Sequence, residues 1–282
     1  MSEARLLEGA DREVVEAYLA GRPERTMFLR SNLRQAGIED GGQPLQGTYV
    51  GAFEGGALVG VAAHYWNGNV ILAAEAAAGD LAVLAARLSR RPVLGLLGPH
   101  EETVRARAAL GMTSAPTTHD GREMLYDLVL ADLVLPKAER GTSRPVEESE
   151  LDLVLEWRML YCRETLGVAD TPEARSQQRA SLERLHARGA HFLGLEDGRP
   201  VSYGAFNAEL PDVVQIGGVY TPPELRGRGY ARLAVGGSLV VARERGVTRA
   251  ILFTGEENTR ARRSYEGLGF RVIGDYGITL FT

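Results

Sequence analysis

The sequence predicts a tandem α/β protein, and three observations predict it. The chain has 282 residues, long for one domain and comfortable for two of roughly 140 each. Both halves show the same order of local patterns: helices, a hairpin, a strand, a helix, a strand, a helix and a closing strand. The residues also repeat weakly. Phe53 to Val59 lies on Leu195 to Val201 at an offset of 142 (53 to 195), and Leu110-Gly111-Met112 lies on Leu268-Gly269-Phe270 at an offset of 158 (110 to 268). The first half is therefore shorter by 16 residues (158 − 142) between these anchors. The polar stretch around Lys137 to Ser143 divides the halves, giving domains at 1–136 and 144–282 with 137–143 as linker.

Taken in order, Asp11 to Leu33 has helical spacing, broken at Gly21 and Pro23. Thr48 to Phe53 and Leu58 to Tyr65 read as strands joined at Glu54-Gly55-Gly56, and Val70 to Ala73 as a strand after Asn67-Gly68-Asn69. Asp80 to Arg90 places Leu81, Leu84, Ala85 and Leu88 on one helical face. Pro92 to Leu97 reads as a buried strand, His100 to Leu110 as a helix closed by Gly111, and Met124 to Leu135 as a long strand. In the second half Glu147 to Leu166 and Pro172 to Ala187 are helices. His191 to Leu195 and Pro200 to Asn207 form a hairpin around Asp197-Gly198, and Val213 to Tyr220 is a strand. Gly229 to Arg245 is a helix, Ala250 to Phe253 a strand, Asn258 to Leu268 a helix and Phe270 to Phe281 the closing strand.

Composition narrows the function. Hydrophobic residues make up 44% and charged residues 24%, so each half can bury a core. The formal net charge of -5 argues against a nucleic-acid partner. With Cys162 as its one cysteine the chain forms no internal disulfide. The first ten residues carry Glu3, Arg5 and Glu8 without an apolar run, and the most apolar stretch, Val70 to Leu88, is broken by Glu75, Asp80 and Arg87. A cytoplasmic protein without a membrane partner is expected. The five histidines show no metal-ligand spacing, so no metal is expected. Neither a Walker loop nor a G-x-S-x-G elbow is present.

The chemistry concentrates after the strand Val213–Tyr220. A Pro222-Pro223 turn leads into Arg226-Gly227-Arg228-Gly229-Tyr230-Ala231, and a helix follows at once. The first N–H groups of a helix lack partners within it, and the aligned peptide dipoles place about half a positive charge there. Gly227 and Gly229 let an anion approach this backbone, and Arg226 and Arg228 add donors. The 16 residues missing from the first half fall where this loop sits in the second. The expected picture is a duplication in which only the C-terminal copy kept the anion loop.

These residues resemble the GNAT superfamily of acyl-CoA-dependent N-acetyltransferases, over most of Thr142 to Phe281. Ser143 to Asp152 is similar to that family's first strand and helix. Val219-Tyr220-Thr221 with Arg226 to Ala231 resembles its pyrophosphate motif, and Asn258 to Phe270 resembles its last helix, Asn258 and Tyr265 included. The N-terminal half resembles the degenerate partner of tandem members. The resemblance implies an α/β (α+β) fold of two such domains, each a mixed, mostly antiparallel, splayed sheet flanked by helices. It implies acetyl-CoA, or another acyl-CoA, as cosubstrate in a cleft between two parallel strands. Val219, Tyr220, Thr221, the loop Arg226, Gly227, Arg228, Gly229, Tyr230 and Ala231, and Asn258 would bind it. The Val219 N–H would stabilise an oxyanion, and the Tyr265 phenol would protonate the leaving thiolate. Asn258 reads equally well as a helix cap.

The acceptor is read as a small-molecule amine or a peptide. Its contacts are expected from the helix carrying Trp157, Arg158, Tyr161 and Glu164, where Trp157, Tyr161 and Glu164 share a face. The base stays open. Val213 to Val219 contains no carboxylate, leaving Glu164, Glu256 or ordered water. Acyl chain length and homodimerisation are open too. Two further functions are compatible with the residues: an acyl-CoA-binding regulatory protein without turnover, and a phosphate-binding scaffold.

Overall fold

A computed structural model describes residues 3–135 and 141–282 of the chain. Most of the expected linker, residues 137–140, lies outside the described residues. By packing, the chain forms two compact units. One comprises Met1–Glu123 with Asp275–Thr282, the other Met124–Gly274. These limits differ from domains at 1–136 and 144–282 in giving the chain's last residues to the first unit.

In the first unit β1 (Glu3–Leu6) precedes α1 (Arg12–Ala20) and α2 (Pro23–Ala36). Pro23 opens α2 at a position where its missing N–H costs nothing. Then come β2 (Gly47–Glu54), β3 (Ala57–Tyr65), β4 (Asn69–Ala73), α3 (Ala78–Ser89), β5 (Gly95–Gly98) and α4 (His100–Ala109). The strands lie in the order β1-β2-β3-β4-β5. Pairing is antiparallel except for β4 with β5, which is parallel. Strand alternation divides the core. Tyr49, Ala63, Tyr65 and Ile71 face α1 and α2, whereas Val50, Ala52, Ala62 and Leu72 face α3. β5 starts at Gly95, later than the Pro92 to Leu97 pattern suggests, with the Leu94 N–H already bonded to the Gly68 carbonyl beside the β4–β5 ladder.

β6 runs from Thr117 to Val129 and ends in a short 3-10 turn at Leu130–Asp132, so the apolar residues as far as Leu135 do not extend it.

In the second unit β7 (Thr142–Pro145) leads to α5 (Leu151–Leu166) and α6 (Pro172–Ala187). There follow β8 (His191–Glu196), β9 (Arg199–Glu209), β10 (Val213–Tyr220), α7 (Ala231–Glu244), β11 (Arg249–Gly255), α8 (Thr259–Glu266) and β12 (Arg271–Phe281). The order β11-β10-β9-β8-β7 mirrors the first unit, again with one parallel pair, β10 with β11. The final residues of β12, from Asp275, belong to the first unit, where they pair with β5. α7 lies so close to the sheet that a Cβ on Gly237 would meet Ser143 Cβ.

The two units repeat each other in local detail. Both hairpins turn on two residues of positive φ, Gly55-Gly56 and Asp197-Gly198, and both slip register at matching points, Ala52/Phe53 and Gly194/Leu195. A third correspondence passes unseen in the hairpin alignment. Arg5 pairs with Asp11 beneath a Glu8 cap, and Arg144 pairs with Glu150 beneath a Glu147 cap. Both runs have an arginine and two acids at three-residue intervals, a signal already present in the sequence.

Candidate functional site

The site starts where a ladder stops. β10 and β11 pair from Val213 with Arg249 to Ile216 with Leu252, yet β10 continues to Tyr220 and β11 to Gly255. On its other side β10 is bulged: Gly217 faces Ala205 and Tyr220 faces Tyr203, so Gly218 and Val219 together oppose Gly204. Gly218 takes φ +61, a left-handed conformation that only glycine adopts without strain. Two parallel strands thus part at the point where one carries an irregular, sharply twisted segment.

Just beyond lies the glycine loop. Pro223–Leu225 form one 3-10 turn, Arg226 is extended, and Gly227 (φ +81) and Gly229 (φ +84) turn the chain into α7. Among the described residues, the N–H groups of Gly227, Arg228, Gly229, Tyr230 and Ala231 reach no protein acceptor. The α7 N-terminus has no side-chain cap and no acidic residue in its first turn. Five open donors, a helix dipole and no competing carboxylate suit a diphosphate.

The side chains around the loop divide into those that face it and those engaged elsewhere. Tyr230 is 5% exposed, packs with Val201 and Leu233, and hydrogen-bonds Glu196, so the loop retains only its N–H. Its carbonyl is also taken, accepting from Ser202 Oγ at 2.7 Å. Arg226 donates from Nε to the Thr221 carbonyl at 2.9 Å and from Nη2 to Glu164 Oε2 at 2.6 Å. Tyr220 donates to the same carboxylate at 3.3 Å, and burial followed by the Glu164 charge raises its pKa. Asn258 accepts from the Ala261 N–H at 3.2 Å, which is a helix cap.

Tyr265 is buried on α8, its ring 6.4 Å from Tyr126 and 6.1 Å from Phe270. Its hydroxyl makes no hydrogen bond among the described residues. Burial, with the nearby phenols of Tyr161 and Tyr126, holds its pKa above the usual tyrosine value. The phenol is therefore protonated at neutral pH. Trp157 is a core residue, buried with its ring 6.4 Å from Tyr220. Tyr161 is half-buried against the same core, and Glu164 is the exposed end of that helical face.

The first unit treats the equivalent place differently. After β4 the chain enters a 3-10 turn, Glu75–Ala77, and then α3 without any glycine loop. Glu102, 3% exposed on α4, accepts the Ala74 N–H at 2.7 Å. Burial raises its pKa, against the stabilising N–H groups of Ala74 and Glu75. The amides past the strand end are thus satisfied by a carboxylate of the chain itself. No sequence pattern marked Glu102.

Among the described residues no cluster of histidine, cysteine or acidic side chains could hold a metal ion, and no helix is long and apolar enough to cross a membrane.

With this geometry in hand, comparison with known proteins identifies the fold. A structure of a GCN5-related N-acetyltransferase from Sphaerobacter thermophilus is similar at 16% identity and a TM-score of 0.61, over 99% of this chain and 94% of that one. A tandem GNAT protein from the clavulanic acid biosynthesis pathway is similar at 15% identity and a TM-score of 0.58, over 99% and 98%. A Drosophila protein reaches a TM-score of 0.65 at 14% identity, over 98% of both chains. No curated protein matches the sequence. Residues 151–270 match the model of the acetyltransferase (GNAT) family, from the start of α5 to the residue before β12. Residues 151–270 of the second unit are thus similar to the GNAT family, and the chain as a whole shares its fold with GNAT structures, a tandem GNAT protein among them.

Proposed function

We propose that the second unit transfers an acyl group, most simply acetyl, from acyl-CoA to a primary amine. One observation carries this reading: the parting of β10 from β11 opens beside a bulge and adjoins five unengaged loop amides. Gly227 to Ala231 would hold the diphosphate, with Arg228 adding charge. Val219 and Thr221 would offer main-chain groups to the thioester arm. Asn258 holds the start of α8 and so positions Tyr265.

A thioester supplies an activated acyl carbon. The neutral amine nitrogen forms the C–N bond, the C–S bond breaks, and the sulfur leaves with the bonding pair. Val219 N–H would stabilise the intermediate oxyanion. Tyr265 would give its proton to the thiolate, and the proton lost by the amine would pass through water or Glu164 to solvent. Glu164 would first have to leave Arg226. The first unit would not share the reaction, since Glu102 occupies the amides that follow its β4.

Incubating the full chain with acetyl-CoA and a panel of amines, with free thiol as readout, tests the proposal. Amine-dependent thiol release is expected. Tight CoA binding without any such release would favour the second reading, a regulatory acyl-CoA binder, which the absence of a β10 carboxylate and the engagement of Glu164 both support.

A further inference from the structure

Arg158 projects from α5 onto the bulge of β10. Its Nη1 lies 2.7 Å from the point where a Cβ on Gly218 would sit, and Tyr203 Cε1 lies 3.8 Å from that point. Nε and Nη2 both donate to Gln178 Oε1, at 3.2 and 2.8 Å. Gln178 is neutral, and among the described residues no carboxylate pairs with this guanidinium. A half-buried arginine without a counter-ion is costly unless something else supplies the charge.

The surroundings are polar and incomplete. Tyr203 and His191 are fully buried, their rings 6.0 Å apart; His191 Nδ1 has no hydrogen-bond partner, and the Tyr203 hydroxyl has none but the nearby Arg158 guanidinium, so its own proton is left without an acceptor. Burial, then His186 and Arg158, lowers the His191 pKa to about 4, so this ring adds no charge at neutral pH. The Tyr203 hydroxyl stays protonated and able to donate, because burial outweighs the pull of Arg158 and raises its pKa to about 12. The result is one positive charge in a planar fork with a buried hydroxyl beside it. That suits a monoanionic carboxylate better than a phosphate dianion.

Position joins this cluster to the reaction. Gly218 precedes Val219, and Tyr220, which follows it, carries the Glu164 contact. We propose that the acceptor bears a carboxylate a short spacer away from its amine, and that Arg158, with the Tyr203 hydroxyl, binds it at the Gly218 bulge. The amine then lies toward Val219 and the Glu164 side. This rests on the acyl-transfer reading and adds the class of acceptor.

The test uses the full chain in two arms. One compares thiol release from acetyl-CoA with amino acids and with their amides. The other measures binding of N-acetyl amino acids and their amides to the CoA-saturated protein, where no amine titrates. Carboxylates should be preferred by about 10- to 100-fold, the range for a charge-assisted hydrogen bond. Arg158→Gln should erase the preference through acceptor KM while CoA affinity stays. Arg158→Lys, keeping charge without the fork, should retain part of it. Equal handling of carboxylates and amides, no carboxylate binding in either arm, or a preference that survives in Arg158→Gln would overturn the proposal. Carboxylate binding without thiol release would instead sink the acyl-transfer reading and leave the anion site standing.

Discussion

Replacing Gly229 separates what the loop backbone does from what its field does. Gly229 has φ +84, and a Cβ there would come within 3.1 Å of Arg232 Nη2, the mobile end of a long side chain. Gly229→Ala therefore costs mainly backbone strain, about 1–2 kcal/mol for a residue forced into the left-handed region. Gly229→Glu bears the same strain but sets a carboxylate at the uncapped, acid-free start of α7. In the free protein that charge should return about 0.3–1 kcal/mol through the helix dipole. In the CoA complex it would stand about 5 Å from a diphosphate, a repulsion of roughly 3 kcal/mol at an effective dielectric near 20. The two variants should thus rank oppositely in two assays. In thermal unfolding of the free protein the glutamate variant should match or exceed the alanine variant. In calorimetric titration with CoA it should bind roughly a hundredfold more weakly. Wild-type CoA affinity in Gly229→Glu would place the diphosphate elsewhere and refute the loop assignment.

Two other outcomes follow from the same structure. Tyr265→Phe keeps the buried ring and removes the proton, so turnover should fall by about 10²-fold or more with CoA affinity nearly unchanged; an unaltered rate would take Tyr265 out of the chemistry. His191, fully buried, has its pKa lowered to about 4 from 6.5, so below pH 6.5 the unfolded chain binds a proton that the folded chain refuses. Its contribution to stability is complete above pH 6.5 and is lost as pH falls toward 4, at about 1.4 kcal/mol per unit and roughly 3 kcal/mol in all. Denaturant unfolding at pH 7 and pH 4.5 should show this loss in the wild type and a smaller one in His191→Gln. Parallel losses in the two proteins would contradict it.

The last strand bears on how the first unit can be studied. A fragment ending at residue 136 would lack Asp275–Thr282, of which Gly277–Leu280 pair with β5. It would also lose Tyr276, whose buried ring lies 6.5 Å from Phe28. Tests of the first unit for CoA binding therefore belong in the full chain, with the second loop disabled by Gly229→Glu.

The sequence by itself determined what depends on neighbours along the chain. The hairpin turns at Gly55-Gly56 and Asp197-Gly198, the glycine break before α7 and the repeated order of elements all rest on local conformational preference, whereas Asn258 reads equally as a cap or a cofactor contact. Tertiary structure alone decided which distant groups meet. It set Arg158 against Gly218, closed Glu164 onto Arg226, buried Trp157 behind Tyr220, placed Glu102 over Ala74 and gave the end of β12 to the first unit. Such contacts join residues far apart in the chain, 62 positions for Glu164 and Arg226 and 179 (277 − 98) for Gly98 and Gly277. Their partners are chosen by strand register and by which helical face finds the sheet, and neither is encoded in spacing within a single element.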